Sequence, residues 1–350
     1  MPSFSRANKR SRAATLPELL IAVAILLVVM VAVLQFCAVV ERAWKSASVD
    51  PFAEAERAFE IVTKNLAAAT LEPYQDYADA NGAFRTNSAV APNPPFLPDH
   101  LARRSDLDFL CGPASGTTGL LTASNRTTAG SAVFFLAPDG VTQSYANTGM
   151  ERLLNAMGYF VEFGDDSPTP SFLLLQSPAW RWRLKQVVQP AELLQIFATI
   201  HASDWIQQVV PVGATFPILA DNVITMVILP ERTANDSGAA LAPAFTYDTR
   251  DTGNKLTLHQ LPSRLRVVLV AIDERSALLL AAQNGTNPPQ LVAGNFFQHG
   301  TQLDAALQAA QLTADLAALD NSLTAQKIGH RIFQRDILLP SANWSNTASQ

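Results

Sequence analysis

Glu18 is the first candidate for chemistry in this sequence, because it is an acid placed directly before a long apolar run. Leu19–Val40 contains 22 residues, of which only Gln35 and Cys37 have polar character. A carboxylate at the edge of hydrocarbon costs a few kcal/mol unless it is paired. We therefore expect Glu18 to have a partner.

The rest of the chain lacks the residue spacings that enzymes use. The patterns G-x-S-x-G, G-x-x-x-x-G-K-[ST], H-E-x-x-H and G-x-G-x-x-G are all absent from the sequence. The five histidines are scattered without metal-ligand spacing, at His100, His201, His259, His299 and His330. We predict that the protein is not an enzyme, with no catalytic residue and no cofactor.

Three other groups are weighed as binding or reactive sites. Asp165–Asp166 and Asp139–Gly140 stand in predicted turns and could offer oxygens to Ca²⁺, but calcium takes six or more oxygens and such carboxylates are usually solvated. Arg181–Lys185 alternates basic and apolar residues, which favours a strand with a solvated basic face over a patch for an acidic partner. Cys37 and Cys111 are expected to be small buried hydrophobes.

Composition limits the classes of protein that remain. Of the 350 residues, 48% are hydrophobic and 16% are charged, which excludes a disordered or polyelectrolyte chain. The formal net charge is -5, and nucleic-acid binders usually carry a basic excess on one face. No nucleic-acid partner is indicated.

The N-terminal residues are arranged like a membrane anchor. Residues 1–13 carry Arg6, Lys9, Arg10 and Arg12 and no acid, so the positive-inside rule keeps this leader in the cytoplasm. As a helix, Leu19–Val40 would span about 33 Å, the thickness of a bilayer core. We predict a single-pass transmembrane helix over residues 14–40, with everything after it exported.

The same segment resembles the type IV prepilin signature, in which a basic leader ends just before a T-L-x-E-L apolar helix. The resemblance implies that prepilin peptidase cleaves between Ala13 and Ala14 and that the new terminus is N-methylated. It also implies that Glu18, the fifth mature residue, meets the N-terminal amine of a neighbouring subunit during assembly. The matching signature positions are Thr15, Leu16, Glu18 and Leu19.

Short sequence segments in the exported part resemble segments of other pilin-like families. Leu219–Val223 and Leu261–Val267 are similar to strands of J- and W-type minor pseudopilins. Five other phrases are similar to the prepilin-type cassette protein C family of Verrucomicrobia, a likeness that covers nearly the whole chain. These phrases are Ala67–Tyr74, Ala132–Phe135, Gly158–Phe163, Val270–Ala277 and Asn343–Ser345.

Periodicity predicts the elements of the exported head. Asp50 and Pro51 favour a helix start, and the residues after them form a one-sided apolar stripe, Phe52, Ala55, Phe59, Val62, Leu66 and Ala69. The proline-rich residues 72–104 are expected to be a loop. Predicted strands are Leu107–Cys111, Ala132–Leu136, Tyr159–Phe163, Val223–Leu229, Arg264–Ile272 and Arg331–Leu338, with a late amphipathic helix over Gln302–Ala325.

These elements predict an α+β fold: a long N-terminal transmembrane helix joined to a mainly antiparallel β-sheet head with a late amphipathic helix. The domains are a cytoplasmic leader (1–13), the transmembrane helix (14–40), a helix extension (41–71) and the exported head (72–350) with a loop-rich start (72–104). A head of 279 residues is large beside typical major pilins.

The functional prediction is a minor pilin or pseudopilin subunit of a type IV pilus or type II secretion-like assembly. Its expected partners are prepilin peptidase, other pilin subunits and the inner membrane, with the head in the periplasm or in a surface filament. The alternative is a membrane-anchored periplasmic binding or envelope protein that uses the same anchor and never polymerises.

Overall fold

The computed structural model describes twelve stretches of the chain and divides it into two compact units, Met1–Pro51 and Phe52–Gln350. The described residues are 26, 29–30, 50–85, 95–116, 119–147, 149–150, 152–165, 180–197, 204–232, 238–292, 296–297 and 304–344.

The predicted fold class needs correction at its N-terminal helix. The described residues form mainly antiparallel sheets, with helices of 6 to 21 residues. Among the described residues, no helix combines the length and apolar character needed to cross a membrane. Their apolar side chains are divided among strands, and the longest helix carries Asp315 and Asp320. Within 14–40, Leu26, Val29 and Met30 are helical and exposed; the other residues of that range lie outside the description.

Helix α1 (Ala53–Ala67) lies near the start of the second unit and confirms the predicted apolar stripe. Phe59, Val62 and Leu66 are buried, and each such burial contributes about 1.5–3 kcal/mol. The helix begins later than expected: its N-cap residue is Phe52, not Asp50. Its buried face packs against strands of two different sheets.

A six-stranded antiparallel sheet forms one side of this unit. Its strands are β3 Phe109–Pro113, β4 Thr128–Pro138, β5 Leu154–Gly164, β6 Arg181–Gln189, β7 Ile218–Asp221 and β9 Tyr247–Asp248. Their order across the sheet is β7-β6-β5-β4-β3-β9. A register shift between Ala129 and Val133 marks a bulge in β4 against β5. Bulges of this kind bend a strand and leave an extra residue outside the ladder of hydrogen bonds.

A three-stranded antiparallel sheet forms the other side, in the order β11-β10-β8. Its strands are β8 Val223–Glu231, β10 Arg264–Ile272 and β11 His330–Leu338, close to the predicted bounds. The first two are buried almost throughout, which fits their continuous apolar sequence. Helix α1 bridges the two sheets, contacting β4 and β7 of the larger and β10 and β11 of the smaller.

Residues 72–104, expected to be a loop, contain a pair of short strands. β1 (Tyr74–Ala78) and β2 (His100–Arg104) pair antiparallel as a separate two-stranded sheet. Their mixed, polar sequence carries little alternation, so pairing between them was not visible from periodicity.

The described residues of this unit form three more α-helices, α2 (Asp204–Val209), α3 (Glu274–Asn284) and α4 (Ala305–Ala325). In α4, Leu312, Leu316, Leu319 and Leu323 are buried as predicted, whereas Leu307 is 59% exposed. Helix α3 was not predicted, although Asp273 caps it by accepting a hydrogen bond from the Ser276 N–H at 2.8 Å.

Candidate functional site

The residues that the sequence singles out for processing and assembly lie outside the described part of the chain. They are Ala13, Ala14, Thr15, Leu16, Glu18 and Leu19. Their roles stay predictions.

The basic stretch at Arg181–Lys185 differs from expectation. It forms the start of β6, as predicted, but Arg183 is 2% exposed and Lys185 is 7% exposed. The residues between and beside them, Trp182 and Leu184, are buried as well. Both faces of the strand are therefore covered, and the prediction of a solvated basic face is wrong.

Carboxylates from neighbouring strands pair with two arginines of this region, Arg183 and Arg126. Arg183 Nε donates to Asp221 Oδ1 of β7 at 2.7 Å, and Arg126 Nη1 donates to Glu162 Oε1 of β5 at 2.7 Å. Arg183 Nη1 also donates to the Gly164 carbonyl at 2.6 Å. We call Arg126, Glu162, Arg183, Lys185 and Asp221 the ionic cluster.

Lys185 is the member of the ionic cluster with the least favourable surroundings. It pairs across the sheet with Phe160 on one side and Ile218 on the other. Burial lowers its pKa; Glu162 opposes that shift and Arg183 adds to it. The cluster holds three cations against two carboxylates, so it has a formal excess of one positive charge. Its geometry ties strands together.

Arg126 joins the ionic cluster to the loop before β7. Its guanidinium carbon lies 5.1 Å from the ring centre of Phe216 and 5.8 Å from that of Phe160. It also donates to the backbone carbonyls of Ala214 and Pro211. Such contacts stabilise a desolvated cation.

Asp108 is a second buried charge, and neutral donors bind it. It is 0% exposed, accepts from Trp205 Nε1 at 2.9 Å, and accepts from Thr249 Oγ1 at 2.8 Å. Burial raises its pKa to about 6; nearby Asp248 adds to the rise, while the two hydrogen bonds and the charge of Arg250 oppose it. The contacts link the start of β3 to α2 and to the residue after β9.

The possible metal and thiol sites have ordinary surroundings. Where the chain is described, no group of three or more His, Cys, Asp or Glu side chains is arranged to hold a metal ion. Asp139 is exposed, and Asp166 lies outside the described residues. Cys111 is buried, as expected, and burial raises its thiol pKa.

The histidines likewise make no common site where they are described. His100 and His330 each contact one aspartate, Asp99 at 3.0 Å and Asp320 at 2.8 Å. Burial and the nearby cations Arg103, Arg250 and Arg104 lower the pKa of His259 to about 4.

Sequence reasoning missed the acids that organise this interior. Asp108 stands inside the apolar run Leu107–Cys111, and Glu162 stands inside Tyr159–Phe163. An acid within a predicted buried strand is the signal that could have identified both, because a buried charge requires partners. The partners themselves come from distant strands and have no local signature.

Comparison with protein-family models, with curated proteins and with solved structures gives no match for this chain.

Proposed function

We propose that this chain is a non-enzymatic subunit of the type IV pilin or pseudopilin kind. It is held in the inner membrane by its N-terminal apolar sequence and joins a pilus or type II secretion-like assembly as a minor subunit. The observation that carries the proposal is the order of features at the N-terminus: a basic leader, Thr15-Leu16-Pro17-Glu18-Leu19, and an apolar run ending at Val40.

The attachment of α1 to both sheets supports this proposal. Glu54 Oε1 accepts a hydrogen bond from the Asp221 N–H at 2.9 Å, at the end of β7. On the other sheet, Arg335 of β11 donates from Nη1 to Glu60 Oε2 at 2.8 Å. A load applied through Phe52, the residue before α1, would therefore reach both sheets.

Aromatic packing strengthens the second of these attachments. The rings of Phe59 in α1 and Phe333 in β11 are 5.8 Å apart, and the Arg335 guanidinium carbon lies 5.6 Å from the ring centre of Phe59. Exposed ion pairs alone contribute little. Burial of the Phe59 ring removes apolar surface from water, and this contributes more to the stability of the attachment than the ion pair does.

Glu18 has the central role in the proposed assembly. Prepilin peptidase cleaves between Ala13 and Ala14, and the freed amine of one subunit neutralises Glu18 of the next. The alternative, an anchored envelope protein that never polymerises, needs neither the cleavage nor the pairing.

The variant Glu18→Gln distinguishes a pilin-like subunit from an anchored envelope protein. In the source organism, we expect the variant to stay in the membrane fraction while its amount in purified assemblies falls about tenfold or more, the factor for a lost interaction of at least 1.4 kcal/mol. Glu41→Gln, at the other end of the apolar run, is the matched control and should be incorporated normally. Normal incorporation of Glu18→Gln would contradict the proposal.

A further inference from the structure

A cavity of about 280 Å³ adjoins the bulge of β4. Its walls come from the bulge itself, from Trp182 of β6, from Ile224 of β8, from the segment Pro288–Val292 and from the pair Phe296–Phe297. Small-molecule pockets are concave spaces of about 300–1,000 Å³, so this cavity falls just below that range and has room only for a small ligand.

The bulge provides a fixed wall. Gly130 has φ +69°, and a Cβ at this position would lie 2.3 Å from the Met226 carbonyl oxygen. Only glycine fits such an approach. The Gly130 carbonyl in turn accepts a hydrogen bond from the Ala114 N–H at 2.9 Å.

The part of the lining at Phe297 has a strained backbone conformation. Phe297 has φ +58°, which is rare for a bulky residue and costs about 1–3 kcal/mol. Its N–H donates at 3.0 Å to Oδ2 of Asp315, a carboxylate that is 4% exposed. Asp315 Oδ1 also accepts from Gln311 Nε2 at 3.0 Å. A buried acid therefore fixes the backbone that places this ring on the cavity.

Among the described residues that line the cavity, no side chain is ionisable. Three aromatic rings lie beside five hydroxyl or amide side chains, namely Ser115, Thr127, Thr128, Ser131 and Gln290. Ser115 is half-buried, and Thr127 and Gln290 are exposed, so the hydroxyl and amide groups of these three side chains are open to a ligand. The lining favours an uncharged ligand that has both apolar faces and hydroxyl groups.

We propose that this cavity binds a neutral saccharide unit. Aromatic rings pack against the apolar C–H face of a sugar, and side-chain hydroxyls and amides both donate to and accept from its hydroxyl groups. An extended peptide fits less well, because β4 and β6 each have a neighbour on both sides and offer no free edge for backbone pairing. The proposal goes beyond assembly and holds whether or not the chain polymerises.

The test uses the full-length protein in detergent and measures saturation-transfer NMR with D-glucose, D-galactose and N-acetyl-D-glucosamine. We expect at least one of them to bind. Thr127→Val should weaken that binding about fivefold or more, the loss of one hydrogen bond of about 1 kcal/mol. Thr252→Val is the matched control, because Thr252 is also an exposed threonine and is not among the residues lining this cavity.

A second variant fills the space without removing a polar group. Val292→Phe should abolish sugar binding while the protein keeps a cooperative unfolding transition. Any one of the following results would overturn the proposal: no binding of any of the three sugars, equal binding by Val292→Phe, or equal binding of glucose 6-phosphate. Binding of a neutral proline-rich peptide in place of the sugars would also overturn it.

Discussion

Trp182 and Arg183 are consecutive residues of β6, yet they belong to two different regions. In one region the polar groups are charged and paired with one another, and in the other they are uncharged and line a cavity. Arg183 lies in the ionic cluster, where Asp221 and the Gly164 carbonyl accept its hydrogen bonds. Trp182 lines the cavity, where the described side chains are uncharged and those of Thr127 and Gln290 are exposed. Alternation along the strand separates the two regions.

The contrast shows how burial divides structural from binding roles. A buried charge costs several kcal/mol unless it is partnered, so the groups of the ionic cluster are committed to one another and to the strands that carry them. The uncharged side chains of Ser115, Thr127 and Gln290 carry no such obligation and remain open to a ligand. The Phe297 backbone on the same cavity is strained.

The largest effect is expected at Glu162, because its loss leaves three cations with one carboxylate. Glu162→Gln should lower the free energy of unfolding by about 3–5 kcal/mol, measured by urea denaturation. Lys185→Met is the control: it removes a buried cation whose pKa burial already lowers, and it should be neutral or stabilising. A change below about 0.5 kcal/mol in Glu162→Gln would mean that the cluster is not desolvated.

A smaller effect is expected at Asp108, which is buried with neutral donors and not with a cation. Its pKa of about 6 exceeds the ordinary value of 3.8, so between these pH values the folded protein binds more protons than the unfolded chain. Stability from this group is present below pH 3.8 and is lost as the pH rises through 6, by about 3 kcal/mol.

The check is the free energy of unfolding of Asp108→Asn and wild type between pH 4 and pH 7. The variant should lack the wild-type fall in this range. Asp106→Asn, at a carboxylate that is 59% exposed, is the control and should keep it. An Asp108→Asn profile parallel to wild type would show that Asp108 is ionised throughout.

Much of the sheet framework could be predicted from the sequence, because its strands are long apolar runs. Arg264–Ile272 was predicted with the bounds that β10 has, and the stripe of α1 identified its buried face. The N-terminal helix was a prediction of the same kind, from apolar length alone, and the described residues do not show it.

The candidate sites could not be predicted in the same way. The burial of Arg183 depends on Asp221, 38 residues away along the chain, and the cavity depends on a bulge whose only local mark is Gly130. Periodicity reports which face of a strand is apolar, but it does not report which distant side chains meet there. Pairings between strands must therefore be seen in the structure.

Mass spectrometry of the mature N-terminus tests the proposed function most directly. Protein purified from the membranes of its source organism should yield an N-terminal peptide that begins at Ala14 and carries one methyl group on its amine. An intact leader beginning at Met1, or a terminus at another residue, would contradict the assignment of this chain to pilin-like subunits.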